Sequence, residues 1–529
     1  MQESGKVTYV SLETDESFHG EYEAALLAIE QEFGERHPMY IGGREVTAPR
    51  EFEARSPIDP GILLGIFPEG REEQARKGIA AANEAFRDWS RRDWRERVAI
   101  VRKTADAMEG RLFSLAALLT YEAGKTRYEA LAEVGEAVDM LRYYCRVYEQ
   151  NNGYIFPMRS PAPGEEVRSV MRPYGAWAVI SPFNFPVALA AGMITGALLT
   201  GNTAVFKPTS KTPLSGVNLY RLFVEGGVPP GAINLVTGPG IPFGKIAVAH
   251  PDVAGIAFTG SRAVGTWLQR QITTAQPYHR PLVAEMGSKN PTIVTASADI
   301  EKAAEGVARA AFGFAGQKCS ATSRVYVHSS VADRFLQALH DRADGMEVGD
   351  PRRREVAFGP LIDDDARLTF QKAVEEAIRD GGRLVAGGEV LEEGIYGRGA
   401  YVMPTVIAGL AHDHRLFTEE LFVPVLTVGT FETLDEALTL ANATDYGLTA
   451  GIFAEDPAEI GSFFDRIRFG VVYANRRGGA TTGAWPGAQP FGGWKASGST
   501  GRGAGGPYYL LSFVREQAQT RVTEPAGGE

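Results

Sequence analysis

Cys319 is the residue of this sequence best suited to covalent chemistry. It lies in FAGQKCSAT, among small and polar residues. A lone cysteine is usually a small core residue, and Cys145, in RYYCRVY, fits that description because aromatic residues flank it. Lys318 directly precedes Cys319, and we expect a turn into a helix there; both would favour the thiolate, which attacks carbonyl carbon. The sequence therefore predicts Cys319 as a nucleophile.

Glu285 and Asn184 are candidates for two supporting roles. Glu285 follows an apolar run in LVAEMGSKNP, at the predicted end of a strand. A carboxylate there can act as a general base toward a hydrolytic water, although a strand-end Glu can equally be a capping or ion-paired residue. Asn184 is enclosed by two Phe and two Pro residues in SPFNFP. An amide held rigidly in such a bend is suited to donating a hydrogen bond to an oxyanion.

A second group of residues indicates a dinucleotide site. IAFTGSRAVG places an apolar strand before Gly260, Ser261 and Gly265, and glycines at a strand-to-helix turn let backbone N–H groups approach a pyrophosphate. The spacing G-x-x-x-x-G differs from the G-x-G-x-x-G fingerprint, so an ordinary turn explains these glycines equally well. Lys207 ends the run TAVFK, where its ammonium could bind ribose hydroxyls or a phosphate, or simply be solvated.

Composition narrows the class of protein and its partners. The chain has 529 residues, 44% of them hydrophobic and 22% charged, which is typical of a globular protein with two or three packed units. A net charge of −11 and the lack of any basic run predict that nucleic acid is not a partner. Two cysteines are too few for a disulfide framework, and the polar, acidic start predicts no signal peptide. We therefore expect a cytoplasmic protein.

Residues 174–206 test whether the chain enters a membrane, because they contain no charged side chain and could span a bilayer. However, Pro182, Asn184 and Pro186 divide this stretch into AWAVI, a bend, ALAAGMITGALL and TAVF. A buried strand–loop–helix–strand unit explains that pattern better than a transmembrane helix, since buried parallel strands are continuously apolar. We predict no membrane association.

The elements that must position these residues follow from the pattern of apolar runs. Long helices are predicted between residues 73 and 150, and β-rich runs alternate with helix-length segments from about residue 177 to 283 and again up to VVYAN. Such alternation predicts two doubly wound α/β lobes. NNGYIF to GAW forms a predicted hairpin that projects from the body, and YYLLSFVREQAQT could return to it as a third strand. A projection of this kind often contacts a partner subunit.

Seven motifs in this chain resemble those of the aldehyde dehydrogenase superfamily, in the same order and over nearly the whole chain. They are SPFNFP, FKPTS, FTGSRAVG, AEMGSKNP, GQKCSA, EELFVP and QPFGG. The resemblance implies that Cys319 is the nucleophile, that Glu285 is the base for deacylation, and that Asn184 forms the oxyanion hole with the Cys319 N–H. It implies thiolate attack, hydride transfer to NAD or NADP, and hydrolysis of a thioester, without a metal.

The same resemblance assigns the cofactor residues and the domains. Lys207 resembles the ligand of the adenosine ribose, Gly260 and Ser261 the lining of the pyrophosphate region, and Glu420 with Phe422 the clamp on the nicotinamide ribose. The implied domains are a Rossmann-like NAD(P)-binding domain (1–150 and 173–284), a catalytic domain (285–498) and a small β oligomerisation flap (151–172 and 499–529). The flap implies a homodimer or a larger homo-oligomer.

Three residues depart from the pattern of the superfamily. Ser288 replaces the second Gly of E-x-G-G-K, and Val423 replaces the Gly of E-E-x-F-G-P. Both are predicted to lie beside the active centre, where they could alter how the nicotinamide half moves. Ser210 stands where many NAD-specific members carry an acidic residue. It leaves use of NADP open.

The combination of GQKCSA with TGAWPGAQPFGG is similar to the 1-pyrroline-5-carboxylate dehydrogenase group of the superfamily, and MYIGGREV also resembles that group. The implied substrate, L-glutamate γ-semialdehyde, belongs to proline degradation and carries an α-carboxylate. Converging donors could bind this anion, and aromatic walls could enclose the aliphatic stem. The predicted donors are Gly483, Ala484, Ser320 and Lys318, and the predicted walls are Phe185 and Phe491.

Several alternatives to this assignment stay open. The Gly-rich segment around Gly483 could be a surface loop without substrate contact. The chain could be an aldehyde dehydrogenase of broad or aromatic specificity, or a catalytically silent structural relative. The presence of both Cys319 and Glu285 argues against a silent relative, and Glu285 also argues against transfer of the acyl group to coenzyme A.

Overall fold

The computed structural model describes residues 16–476 and 485–522. Its helices are α1 (Glu16–Glu30), α2 (Glu72–Trp89), α3 (Trp94–Glu109), α4 (Leu112–Ala123), α5 (Arg127–Gln150), α6 (Ala188–Leu199), α7 (Pro213–Gly226), α8 (Gly240–Ala249), α9 (Arg262–Ala275), α10 (Ile300–Phe312), α11 (Ala332–Asp344), α12 (Asp364–Arg379), α13 (Arg415–Thr418), α14 (Leu434–Asn442) and α15 (Pro457–Arg466).

The strands form two large sheets and several small ones. They are β1 (Met39–Ile41), β2 (Arg44–Val46), β3 (Glu51–Arg55), β4 (Leu63–Pro68), β5 (Ile155–Met158), β6 (Glu165–Pro173), β7 (Ala176–Ile180), β8 (Thr203–Lys207), β9 (Ile233–Leu235), β10 (Val253–Thr259), β11 (Leu282–Glu285), β12 (Asn290–Val294), β13 (Thr322–His328), β14 (Arg383–Ala386), β15 (Val390–Leu391), β16 (Tyr401–Val402), β17 (Thr405–Ala408), β18 (Val425–Phe431), β19 (Tyr446–Gly447), β20 (Thr449–Phe453), β21 (Val471–Ala474), β22 (Trp494–Lys495) and β23 (Val514–Val522).

The first large sheet has the order β11-β10-β7-β8-β9-β1-β2, and its strands from β11 to β9 are parallel. Successive side chains of a strand point to opposite faces. Ala178 and Val205 accordingly pack with α2, α8 and α9 on one face, whereas Trp177 and Phe206 pack with α6 and α7 on the other. Helices on both faces explain why these strands are continuously apolar.

This sheet confirms the interpretation of residues 174–206 as a strand–loop–helix–strand unit, which the structure resolves as β7, α6 and β8. Within residues 16–476 and 485–522, no helix combines the length and the apolar character needed to cross a membrane. A Gly-Gly turn also lies in this sheet, between β1 and β2. Gly42 and Gly43 both have positive φ, 62° and 75°, which glycine adopts without steric cost.

The second large sheet has the order β14-β17-β18-β13-β12-β20-β21 and is parallel except for its edge strand β14. A third sheet, β23-β6-β5, is antiparallel. It confirms the predicted hairpin and the return of the C-terminal strand, which pairs with β6 from Val514 opposite Pro173 to Val522 opposite Glu165. Two α/β lobes with a small β flap are therefore the architecture of this chain.

One helix lies where the sequence suggested only a polar, acidic leader. Helix α1 buries Tyr22, Leu26 and Ile29 against the core that includes α4. These three positions follow the i, i+4, i+7 spacing of one helical face. This apolar pattern is short and lies among charged residues, so the sequence alone did not reveal a helix within the acidic segment.

Candidate active site

The residues with candidate chemistry come together at the carboxyl ends of neighbouring parallel strands. The bend SPFNFP follows β7, Lys207 ends β8, Gly260 follows β10, and Glu285 ends β11. These four strands are adjacent in the first sheet. Ligands of open α/β sheets bind at this edge, because the loops there face one crevice.

A cavity of about 560 Å³ opens at this edge. It brings the thiol of Cys319 close to residues that are separated from it by more than a hundred positions in the sequence. Its sides carry backbone, hydroxyl, ammonium and carboxylate groups as well as aromatic rings. The predicted site residues that line it are Asn184, Lys207, Ser210, Gly260, Ser261, Cys319, Glu420 and Phe422.

The segment that carries Cys319 has an unusual backbone. Phe314, Ala315 and Gly316 are consecutive residues in the left-handed region, with φ of 51°, 52° and 68°. Non-glycine residues in this region cost about 1–3 kcal/mol each and persist only where the surroundings hold them. After Cys319 the chain enters β13, which begins at Thr322. The expected turn into a helix at Cys319 is therefore wrong: a short 3₁₀ turn precedes the cysteine and a strand follows it.

The charges around Cys319 also differ from the expectation. Burial raises the pKa of its thiol to about 12, and the carboxylates of Glu420 and Glu285 act in the same direction. The Lys318 ammonium, expected to favour the thiolate, instead binds the Glu129 carboxylate at 2.7 Å. This ion pair gives the lysine charge a partner other than the thiol.

Glu285 is partly buried beside the thiol. Its Oε2 accepts a hydrogen bond from the Gly493 N–H at 3.0 Å. Burial raises its pKa to about 8, and the bond from Gly493 opposes that shift only in part. A carboxyl group with a pKa near the working pH can both hold and release a proton, which is the property of a general base.

Asn184 connects two loops of the site. Its Nδ2 donates to the main-chain oxygen of Gln317 at 3.1 Å, two residues before Cys319. The side chain is almost completely buried, and its NH₂ group carries a second donor hydrogen. The arrangement fits an amide that faces the cavity from a fixed position.

Glu420 is a carboxylate that lines the cavity. Its Oε1 accepts from the Ser288 N–H at 2.7 Å, and burial raises its pKa to about 7. A Cβ on Gly287 would lie 2.0 Å from Glu420 Oε2, so this approach requires glycine. The departure at Ser288 is accommodated, since its hydroxyl accepts from Asn290 Nδ2 at 2.9 Å. Phe422 has a φ of 60° and packs edge-on against another cavity ring, that of Phe183.

The candidate cofactor residues form the other half of the cavity. Ser261 caps α9 by accepting from the Val264 N–H, and the unpaired N–H groups of a helix start suit a pyrophosphate. The Lys207 side chain is buried, its Nζ donates to the Pro208 oxygen at 2.6 Å, and burial lowers its pKa to about 8. Ser210 donates to the Gly238 oxygen at 3.0 Å. This combination of a helix start, a lysine and a cavity of this size fits a dinucleotide.

Gly265 is the one predicted cofactor residue that does not line the cavity. It lies in the first turn of α9, and a Cβ there would approach Met286 Sδ to 2.3 Å. The glycine therefore serves close packing of the helix on the sheet, and Gly265 is not part of the cavity lining. A glycine pattern cannot distinguish these roles, because both require a missing side chain.

The candidate substrate residues that the structure describes, Phe185, Lys318, Ser320 and Phe491, are not among those that line this cavity. Phe185, Ser320 and Phe491 are buried, and the main-chain oxygen of Ser320 accepts from the Thr449 hydroxyl at 3.3 Å. Gly483 and Ala484 lie outside the described residues.

Sequence reasoning missed several residues near the two loops. Lys125 and Glu133 form an ion pair with no exposed side-chain surface, and Lys289 is also buried, with a pKa lowered to about 7 mainly by burial. The signal in the sequence is weak, because Glu133 is one charged residue within the helical pattern of α5, and Lys125 and Lys289 lie in short loops. That signal does not reveal the partner of each charge.

Comparison with known proteins agrees with this site. The family model described as "Aldehyde dehydrogenase family" matches residues 45–518 of this chain. The chain belongs to the aldehyde dehydrogenase family. It is 37% identical over 503 residues to 1-pyrroline-5-carboxylate dehydrogenase 1 of Halalkalibacterium halodurans, covering 94% of this chain and 95% of that protein. It is 36% identical to 1-pyrroline-5-carboxylate dehydrogenase 2 of Bacillus subtilis, with the same coverage.

A solved structure extends this family likeness to three dimensions. The crystal structure of 1-pyrroline-5-carboxylate dehydrogenase from Thermus with bound NAD is similar to this chain with a TM-score of 0.92 and 34% identity. The match covers 98% of this chain and 99% of the Thermus protein. The likeness therefore extends through both α/β lobes and the flap.

Proposed function

We propose that this chain oxidises L-glutamate γ-semialdehyde, the open form of 1-pyrroline-5-carboxylate, to L-glutamate, with NAD as the oxidant. The observation that carries the proposal is the meeting of Cys319, Asn184 and Glu285 at one strand edge beside a cavity suited to a dinucleotide. Relatives named 1-pyrroline-5-carboxylate dehydrogenase, 35–37% identical over 94–95% of the chain, support the choice of aldehyde.

Cys319 begins the proposed reaction as a thiolate. Its sulfur attacks the aldehyde carbon, a C–S bond forms, and the π electrons of the C=O bond move to oxygen. The second N–H of Asn184 and the N–H of Cys319 donate to this oxyanion. Burial raises the pKa of the thiol, so the thiol must lose its proton before the sulfur attacks.

The cofactor residues keep the roles that the sequence implied. Lys207 and Glu420 would bind the ribose hydroxyls, and the start of α9 with Gly260 and Ser261 would receive the pyrophosphate. When bound, NAD supplies the hydride acceptor that turns the first adduct into a thioester. Ser210 presents no carboxylate toward a 2′-phosphate, so use of NADP is consistent with the cavity.

Glu285 then completes the cycle. Its carboxylate accepts a proton from water as the water oxygen attacks the thioester carbon. The C–S bond breaks, the Cys319 thiolate leaves, and the product acid departs. A hydrolytic cycle of this kind needs a base whose pKa lies near the working pH, which is the property that burial gives Glu285.

We propose that the α-carboxylate of the substrate is bound by the Ser320 hydroxyl and by backbone N–H groups of Gly483 and Ala484. Phe185 and Phe491 would enclose the aliphatic stem. Lys318 contributes less directly to binding of the α-carboxylate than the sequence suggested, since its ammonium is bound to Glu129.

The flap supports association of this chain with itself. Strand β5 is an edge of the three-stranded sheet, and Phe156 and Met158 on it are 40% and 53% exposed. Exposed edge strands with apolar side chains invite pairing with another chain. We propose a homodimer or a larger homo-oligomer in which the flap contacts a second copy.

One experiment tests the proposed activity. Formation of NADH or NADPH is followed with 1-pyrroline-5-carboxylate, propanal and benzaldehyde as substrates. The proposal expects the highest kcat/KM for 1-pyrroline-5-carboxylate. Equal or better turnover of propanal or benzaldehyde would leave only a general aldehyde dehydrogenase.

A further inference from the structure

We propose that the buried ion pair of Lys125 and Glu133 positions Asn184 against Cys319 and so sets the geometry in which the aldehyde oxygen is stabilised. The inference rests on the roles proposed above for Asn184 and Cys319. It makes Lys125 and Glu133 positioning residues, since both lie outside the cavity lining.

Lys125 contacts both loops that carry the reacting groups. It lies between α4 and α5 with no exposed surface, and its Nζ binds Glu133 Oε2 at 2.5 Å. The same ammonium lies 3.6 Å from the centroid of the Phe185 ring and 4.8 Å from that of Phe314. Phe185 directly follows Asn184, and Phe314 lies five residues before Cys319. One cation between two rings therefore bridges the two loops.

Glu133 holds the far side of the Asn184 loop. Its second oxygen, Oε1, accepts from the N–H groups of Val187 and Ala188 at 2.8 and 3.1 Å. These residues begin α6 directly after SPFNFP, where helix N–H groups need an acceptor. The ion pair thus holds the loop at the ring of Phe185 and at the start of α6.

The Lys125 ammonium also helps to hold the Cys319 loop, through its contact with Phe314. Phe314 occupies the left-handed region, a strained conformation that surrounding contacts must maintain. Its ring faces the Lys125 ammonium, so the cation helps to hold the strained segment in place. Asn184 also donates a hydrogen bond to the main-chain oxygen of Gln317 in the Cys319 loop. Without the cation, that single hydrogen bond is the remaining described polar link between Asn184 and the Cys319 loop.

A neutral side chain of the same shape tests this bridge. Lys125→Met keeps an unbranched stem but removes the ammonium, while Glu133 retains its two bonds to the start of α6. Misplacement of a catalytic group by about 1 Å can lower a rate about 100-fold. We therefore expect the variant to lose about 10- to 100-fold in the step that forms an oxyanion.

Two reactions of Cys319 distinguish whether the ion pair positions Asn184 or only keeps the site folded. Acylation by p-nitrophenyl acetate, measured as a burst of p-nitrophenolate, passes through an oxyanion and needs neither NAD nor the aldehyde. Alkylation by iodoacetamide displaces iodide and forms no oxyanion. In Lys125→Met the acylation rate should fall about 10- to 100-fold, whereas alkylation should change less than about threefold.

Arg97→Met is the matched control. Arg97 is another buried cation, and its Nε donates to the Leu199 oxygen at the opposite end of α6. Its loss disturbs the same helix without touching the Lys125 bridge. We expect the ratio of acylation to alkylation in this variant to equal that of the unmodified protein.

If Lys125→Met does not fold, the double variant Lys125→Met/Glu133→Gln removes both charges and avoids an uncompensated buried carboxylate. Unchanged acylation, or equal losses in acylation and alkylation, would overturn the inference. So would failure of both variants to fold, because the pair would then be a folding element. A missing burst in the unmodified protein would instead refute Cys319 as nucleophile, and the inference with it.

Discussion

The side-chain amide of Asn184 donates to the main-chain oxygen of Gln317 at 3.1 Å, which joins the bend after β7 to the segment that carries Cys319. One N–H of the amide is used in this bond, and the other can face the cavity. The bond fixes the plane of the amide, so the direction of the second N–H is set before a substrate binds. Such preorganised donors stabilise an oxyanion without a reorganisation cost.

Asn184→Ala should lower kcat by about 10²- to 10³-fold, the usual effect of losing one oxyanion donor. The measurement is steady-state NADH formation, with folding checked by circular dichroism. Asn83→Ala is a suitable control, since Asn83 donates to the Ile79 and Asp252 oxygens away from the cavity. A loss smaller than tenfold in folded Asn184→Ala would mean that the amide is structural.

Cys319→Ala should abolish turnover and leave NAD binding intact, because the thiol forms the covalent bond and does not hold the dinucleotide in the proposed mechanism. Turnover is followed by NADH formation, and binding by calorimetric titration. Cys145→Ala is the control, since this thiol is buried between helices and donates to the Val98 oxygen. Turnover of Cys319→Ala at the parental rate would refute the thioester.

Hydrolysis of the thioester should depend on the ionisation of Glu285. Its pKa is raised to about 8, and the base must be a carboxylate, so the hydrolysis rate should rise with pH and level off above about 8. Rapid mixing of a preformed acyl-enzyme with buffers of different pH measures this step alone. Glu285→Gln should give one NADH per site, followed by slow hydrolysis. A variant that hydrolyses the thioester at the parental rate would exclude Glu285 from the role.

Gly287→Ala should weaken the use of NAD. A Cβ at this position would lie 2.0 Å from Glu420 Oε2 and displace the carboxylate from its bond with Ser288. Loss of a hydrogen bond that involves a charged group costs about 1.5–3 kcal/mol, or roughly a 10- to 150-fold loss in kcat/KM for NAD. Gly461→Ala is the control, because open space surrounds that helical glycine. Equal kinetics of the two variants would exclude Glu420 from the cofactor site.

The ends of the buried strands could be predicted from the sequence, because local residues determine where a strand ends. Proline and glycine interrupt the apolar runs after β7 and β10, and a side chain next to such an interruption lies at the sheet edge in any parallel α/β fold. For that reason Lys207 and Gly260 could be assigned to the ends of strands, and Asn184 to a rigid bend, before their contacts were known.

Long-range pairing explains what the sequence did not reveal. Lys318 binds Glu129, and the two residues are adjacent only after α5 has packed against the Cys319 loop. The expectation that Lys318 acts on the thiol rested on the adjacency of the two residues in the sequence, whereas burial and the carboxylates of residues distant in the sequence raise the thiol pKa. The left-handed backbone at Phe314 and Ala315 has no sequence signature either, since neither residue type favours it.

Ser320→Ala tests the preference for an aldehyde with a carboxylate. The Ser320 side chain is buried next to Cys319, and a hydroxyl donor in such a place can bind the α-carboxylate in a partly dry pocket. Loss of a hydrogen bond to a charged group costs about 1.5–3 kcal/mol, which corresponds to a loss of roughly 10- to 150-fold in kcat/KM for the semialdehyde.

The loss should be selective, which separates binding of the carboxylate from support of the nucleophile. An aliphatic aldehyde without a carboxylate, such as propanal, has no group for this hydroxyl to bind, so its kcat/KM should change little in Ser320→Ala. A proline at Ala484 should behave like Ser320→Ala, because proline lacks the N–H donor and leaves Cys319 unchanged. Equal losses for the semialdehyde and for propanal would show that Ser320 only supports the thiol.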